Sequence, residues 1–169
     1  MDDRTLYRLA GSAAVIGGAL RIATSFVPWD GSAPLEAIAF AVDVFLLFGL
    51  MGVYLSHRIG LGWGGFGAFV LAEVGIASIV GPDGQAFGID TYLAGVHAIS
   101  IGLLLLGVVM LVKRIDVVAA ICWIGSLGAG VAGGLVGQAA AGFLIGGILF
   151  GLGFVAAGIA LLMPAAKSA

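Results

Sequence analysis

Hydrophobic residues fall into six long blocks along the chain, separated by short stretches that hold charged, glycine and proline residues. A block of about 20 apolar residues is what an α-helix needs to cross the ~30 Å hydrocarbon core of a bilayer. The alternation typical of transmembrane β-strands is absent. The pattern predicts an all-α, polytopic membrane protein, a compact bundle of six transmembrane helices over residues 6–26, 33–54, 62–80, 91–112, 117–135 and 142–163.

Composition supports this class. Hydrophobic residues make up 62% of the 169 residues and charged residues 9%, whereas soluble domains have about 45–50% and about 25%. Six spans with short loops use up the chain, so we expect a single six-helix transmembrane domain over residues 1–169. A net charge of −2 gives no reason to expect a nucleic-acid partner. The start of the chain lacks a basic signal-peptide region, so the first helix is expected in the mature protein.

Basic residues predict the orientation of the bundle. If the N-terminus is cytoplasmic, six of the seven basic residues fall on the cytoplasmic side, namely Arg4, Arg8, Arg58, Lys113, Arg114 and Lys167. This asymmetry is what the positive-inside rule requires, and it predicts that both termini are cytoplasmic. The breaks between spans contain turn residues, with Pro28–Gly31 after the first, Gly81–Gly84 after the third and Pro164 after the last. The dipeptide His57-Arg58 is interpreted as a solvated cytoplasmic turn.

Glycines at four-residue spacing predict close contacts between helices. The pairs are Gly130/Gly134 in the fifth span and Gly142/Gly146 and Gly147/Gly151 in the sixth. Small residues at this spacing let helix backbones approach each other. They fit packing inside the bundle, and alternatively an interface with a second copy or with another membrane subunit.

Five ionisable residues lie inside the predicted spans: Arg21, Glu36, Asp43, Glu73 and His97. Such residues are costly in hydrocarbon, usually face the protein interior and often mark function. The predicted topology places all five between the outer surface and the middle of the membrane, with Asp43 nearest the midplane. We therefore expect them to form one outward-facing pocket, closed on the cytoplasmic side by apolar packing, and we take them as candidate residues for binding a substrate or an ion.

Estimated depth also predicts how these residues pair. Arg21 stays charged and needs a counter-ion, for which Glu36 is the nearest acid in height and Glu73 the second choice. Asp43 and Glu73 are then candidates for proton exchange. His97, with Ser100 one turn further on, could share protons or ligate a metal.

Each of these residues also has a structural explanation. An Arg21–Glu36 pair could simply fix helix register, Glu36 could reach lipid headgroups, and His97 could be a hydrogen-bonded packing residue.

Missing residues exclude several activities. Both lysines lie at predicted helix ends, so a retinal Schiff base inside the membrane is excluded; HExxH and GxSxG motifs are absent. The single Cys122 excludes CxxC chemistry. The run from Gly62 to Gly67 matches GxGxxG only in letters, without the strand of a dinucleotide-binding unit. His57 and His97 are predicted at opposite depths and cannot both ligate one haem. No cofactor and no metal site follows from the sequence.

Three functions remain open. The first is binding or transport of a small solute or cation, possibly proton-coupled, in the outward-facing pocket. The second is acid/base catalysis on a lipid-soluble substrate such as an isoprenoid or quinone, because carboxylates and histidine in a low-dielectric site can exchange protons. The third is a non-catalytic subunit that docks through its glycine-rich helices. No motif connects the chain to a particular family, and the expected location is a bacterial cytoplasmic membrane.

Overall fold

The computed structural model describes residues 2–80, 85–86 and 88–163, which form an all-helical architecture. The helices are α1 (Asp3–Thr24), α2 (Ala33–Ile79), α3 (Thr91–Lys113), α4 (Val117–Leu135) and α5 (Ala139–Leu162). Two short antiparallel strands, β1 (Gln85–Ala86) and β2 (Ile89–Asp90), precede α3. The predicted turn at 81–84, Pro164 and Lys167 lie outside the described residues.

Four of the described helices, α2 to α5, are long and apolar enough to cross a membrane, as in an integral membrane protein. The first predicted span, over residues 6–26, corresponds to α1, which is not among the four. Its arginines, Arg4, Arg8 and Arg21, lower its average hydropathy. Nevertheless α1 is packed on two sides, against α2 and α5.

The second and third predicted spans belong to one element, α2, so the described residues form five helices rather than six. Residues 55–61, which we expected to be a loop, are helical. The helical conformation is broken at Gly62, whose φ is 62° and ψ −162°. On either side of it, the rings of Tyr54 and Phe69 stack with centroids 4.2 Å apart. In a straight helix these two residues would be separated by about 22 Å. The chain therefore folds back at Gly62, giving a first leg (33–61) and a second leg (63–79).

Close backbone approaches define the order of the helices. The first leg lies against α1, where Gly52 contacts Ala10 and Gly49 contacts Ala14. These two contacts show that the two helices are antiparallel. The second leg lies against α3 in the same antiparallel way, with Ala72 against Gly102.

The remaining contacts close a ring. Helix α3 packs on α4 where Gly107 meets Ala120, and α4 packs on α5 where Gly133 meets Gly142. Helix α5 returns to α1, because Gly158 approaches Gly11, which is also close to Leu161. The start of α1 and the end of α5 thus share one end of the bundle, together with the turn at Gly62 and the α3–α4 connection. We call this the terminal end, and the other the loop end.

The predicted glycine pairs of α5 pack inside the bundle. Gly142 and Gly146 face α4, whereas Gly147 and Gly151 face α1. Two faces of α5 thus carry glycines, and each face packs against a different helix. The Gly130/Gly134 pair of α4 is different, because a Cβ at either position would have no neighbouring atom within 4 Å. The α5 pairs therefore serve internal packing, while the α4 pair lies on the surface of the described bundle.

Candidate functional site

Arg21 and Asp43 lie at the same height on neighbouring helices. Gly17 of α1 packs against Phe45 and Leu46 of the first leg. Because the two helices are antiparallel, Arg21, one turn after Gly17, lies at the height of residues 41–42, next to Asp43 in the sequence. Both side chains are half-buried; the charge of Arg21 acts on the Asp43 carboxylate, but the two do not form a salt bridge within 4.0 Å. The register of α1 against the first leg thus places these two predicted residues at one height on neighbouring helices.

The Arg21–Glu36 pair that depth estimates favoured is not formed. Glu36 lies in the first turn of α2, is exposed, and makes no salt bridge with Arg21. The prediction was wrong because it measured each residue from the end of its own helix. The first leg extends further toward the loop end than α1 does, which leaves Glu36 beyond the reach of Arg21.

Glu73 occupies the middle of the bundle. Its neighbour Ala72 packs against Gly102, the middle residue of α3. Both carboxylate oxygens of Glu73 are buried, and neither has a hydrogen-bond partner among the described residues. A carboxylate that is removed from water without a donor is energetically costly unless it takes up a proton or a cation.

Glu73, and not Asp43, is therefore the acid nearest mid-height. The expectation for Asp43 came from ending the second span at residue 54. Because the helix continues to residue 61, its midpoint moves to about residue 47, and Asp43 lies about 6 Å from it toward the loop end. Along the hairpin, Asp43 and Glu73 differ in height by roughly 10 Å.

His97 stands apart from the other candidates. It is exposed, and its Nδ1 lies 2.7 Å from the carbonyl oxygen of Leu93 in the same helix. Ser100 likewise donates to the carbonyl of Val96 within α3. Among the described residues, no three His, Cys, Asp or Glu side chains are arranged to hold a metal ion. Of the five predicted residues, the structure thus places Arg21 and Asp43 at one height, places Glu73 further into the bundle, and leaves Glu36 and His97 exposed.

Sequence reasoning missed an acid–histidine pair at the terminal end. His57, taken for part of a solvated turn, is half-buried on the first leg, and its Nε2 lies 3.8 Å from Oδ2 of Asp116. Its Nδ1 is 2.8 Å from Ser56 Oγ and 3.1 Å from the Val53 carbonyl oxygen. Burial raises the pKa of the Asp116 carboxyl, and the nearby His57 opposes that effect. The only signal in the sequence was the position of Asp116 directly before a helix.

Two surface cavities also lie at the terminal end. One, of about 320 Å³, is bordered by residues of the first leg together with Tyr7 and Ile115, and the other, of about 370 Å³, lies between the two legs of α2. Arg58 borders both. The five predicted site residues border neither of them.

No protein-family model, curated protein or solved structure matches this chain.

Proposed function

We propose that this chain is an integral membrane protein that binds and carries a proton or a small cation through Glu73 and Asp43. In this proposal the two legs of α2 each cross the bilayer, as do α1, α3, α4 and α5, which makes six spans within one domain. Arg21 holds Asp43 near the loop end, and Glu73 is the binding carboxylate at mid-height.

The observation that carries the proposal is the environment of Glu73. An acid at mid-height of a bundle, with both oxygens buried and no donor among the described residues, costs stability in a protein that has no use for it. An apolar residue of similar size, such as Met or Leu, would fill the same space without that cost. A carboxylate that must gain and lose a proton or cation explains why the position is acidic.

The surroundings of Glu73 favour access from the loop end. On that side, Asp43 and Arg21 supply polar groups at a height roughly 10 Å nearer the loop end. Toward the terminal end, the neighbouring core consists of fully buried apolar side chains, among them Leu50, Val53, Leu106 and Met110. Such a layer blocks a continuous water path, so the arrangement fits a binding site that opens to one side better than it fits an open channel.

The distribution of charge supports cytoplasmic termini. Arg4, Arg8, Arg58, Lys113 and Arg114 are all at the terminal end. By the positive-inside rule this end faces the cytoplasm, so the loop end and the entrance beside Asp43 face outward. A bacterial cytoplasmic membrane is the location that the proposal assumes.

Proton movement into liposomes tests the proposal directly. The purified protein is reconstituted into vesicles that contain a pH-sensitive dye, and a potassium diffusion potential is imposed with valinomycin. We expect proton entry well above that of protein-free vesicles, and we expect Glu73→Gln to reduce it to the protein-free rate. Asp43→Asn should slow entry without abolishing it, because Asp43 lies on the path and not at the central position.

The matched control is Asp90→Asn, which removes an exposed carboxylate at the loop end while the amide oxygen can still accept the hydrogen bond from Leu93 N that caps α3. It should behave as the parent. Radioactive sodium uptake in the same vesicles covers the case of a metal cation. If the parent moves neither protons nor sodium, or if Glu73→Gln leaves both rates unchanged, the proposal is wrong.

A further inference from the structure

Arg58 stands where two differently lined cavities meet. The cavity on one side is bordered by polar groups of Tyr7, Ser56 and His57, and the cavity on the other by the aromatic rings of Tyr54, Trp63 and Phe66. A single cation thus lies between a polar space and an aromatic space. This is the pattern expected for a ligand with an anionic head and an apolar body.

The charge of Arg58 is available to such a ligand. Its side chain is exposed, and among the described residues no carboxylate lies within 4.0 Å of it. Asp116, in the α3–α4 connection, is directed to His57, with 3.8 Å between Nε2 and Oδ2. Asp116 is thus placed against His57 and not against Arg58, and among the described residues Arg58 borders both cavities without a carboxylate beside it.

The aromatic side of the site extends along the hairpin. The rings of Trp63 and Phe66 meet edge to face with centroids 6.0 Å apart, and Tyr54 lies 5.9 Å from Phe66. Trp63 is 88% exposed, which leaves its ring free to contact a neighbouring molecule. Tyr54 then stacks on Phe69 further into the bundle, so the apolar wall continues from the membrane interface toward the hydrocarbon.

We propose that the hairpin of α2 binds one anionic phospholipid, whose phosphate contacts Arg58 and whose glycerol and upper acyl chain lie against Tyr54, Trp63 and Phe66. A guanidinium suits a phosphate because its fork of donors matches two phosphate oxygens. Cavities of about 320 and 370 Å³ accommodate a headgroup and the first part of a chain, while the rest of the lipid remains in the bilayer. This site is separate from Glu73 and independent of the transport proposal.

Tryptophan fluorescence gives a probe at the site itself. Trp29 lies before α2 at the loop end and Trp123 is buried in the core, so a Trp29→Phe background leaves Trp63 as the indole that faces lipid. In this background we compare quenching by brominated phosphatidylglycerol and brominated phosphatidylcholine at equal mole fractions. We expect the anionic lipid to bind roughly fivefold more favourably, as for one basic group that contacts an anionic headgroup.

Charge removal provides the matched comparison. Arg58→Gln should abolish the preference, whereas Lys113→Gln, which removes an exposed charge at the same end away from both cavities, should keep it. Equal quenching by the two lipids in the parent background, or a preference that survives Arg58→Gln, would overturn the site. Loss of the preference on addition of millimolar glycerol phosphate would show that a free phosphate occupies the site, and would overturn the lipid as its ligand.

Discussion

The acidic side chains of this protein differ in what surrounds their oxygens. Asp2 accepts a hydrogen bond from Thr5 N at 3.0 Å and Asp90 from Leu93 N at 2.8 Å, so both act as helix caps. Glu73 has buried oxygens and no donor, and Asp116 has a histidine at 3.8 Å. The same functional group thus caps a helix in the first two positions, whereas at Glu73 it is buried, which is the basis of the proposed role in ion or proton exchange.

The buried position of Asp116 predicts a pH dependence of stability. Because the pKa of Asp116 is raised above its ordinary value of 3.8, the folded protein holds this proton more tightly than the unfolded chain does. The parent should therefore lose stability relative to Asp116→Asn as pH rises through the window between 3.8 and the raised pKa, with a constant difference above it. Asn tolerates the positive φ of 38° at this position. Thermal unfolding in detergent at a series of pH values measures the difference.

Asp30 supplies a control of opposite sign. Ser32 donates to its carboxylate and lowers the pKa of Asp30, so the parent should gain stability relative to Asp30→Asn as pH rises past the lowered pKa. If the unfolding temperatures of the parent and of Asp116→Asn change with pH in the same way across the acidic range, the pKa of Asp116 is not raised in the folded protein.

The helical hairpin of α2 depends on one residue. With φ 62° and ψ −162°, Gly62 occupies a region of backbone conformation that is essentially restricted to glycine. A Cβ there would meet no atom within 4 Å, so any cost of a side chain comes from the backbone and not from crowding. We expect Gly62→Ala to lower the free energy of unfolding by about 1–3 kcal/mol.

Gly67 is the matched position for this measurement. It is also open on all sides, but it lies inside the second leg with helical geometry. Gly67→Ala should raise stability by about 0.5–1 kcal/mol, because alanine loses less backbone entropy in a helix. Chemical denaturation in mild detergent measures the free energy of unfolding of both variants. If Gly62→Ala and Gly67→Ala change it by the same amount, a side chain does not strain the backbone at position 62.

Helix positions were largely readable from the sequence. The bounds of α4 agree with the prediction at both ends, and α3 differs by one residue at its end. The stretch 55–61 was misjudged because His57 and Arg58 give it the composition of a loop. Polar composition indicates that a segment is exposed to water or lipid headgroups. At a membrane interface both helices and loops are exposed in this way, so composition alone does not distinguish them.

At the scale of the molecule, antiparallel contacts order the helices into a ring and place the start of α1 near the end of α5. If the six-span arrangement with cytoplasmic termini is correct, Asp30 lies outside the cell and Lys113 inside. In a Cys122→Ala background, a membrane-impermeant maleimide should label Asp30→Cys in intact cells and Lys113→Cys only after permeabilisation. The reverse pattern would invert the topology. Labelling of both from outside would mean that an even number of spans lies between residues 30 and 113, which contradicts the six-span arrangement.

Local properties of the residues determined the class of this protein. Hydropathy acts on each segment independently of the others, so the sequence alone predicted an all-helical membrane protein, and it identified the ionisable residues that a membrane makes costly. The tertiary structure decided their partners, because relative heights depend on contacts between distant glycines such as Gly18 with Gly151 and Gly75 with Gly95. Those contacts set Arg21 at the height of Asp43, brought His57 to Asp116 and left Glu73 without a donor among the described residues, and none of these relations is visible in the pattern of a single segment.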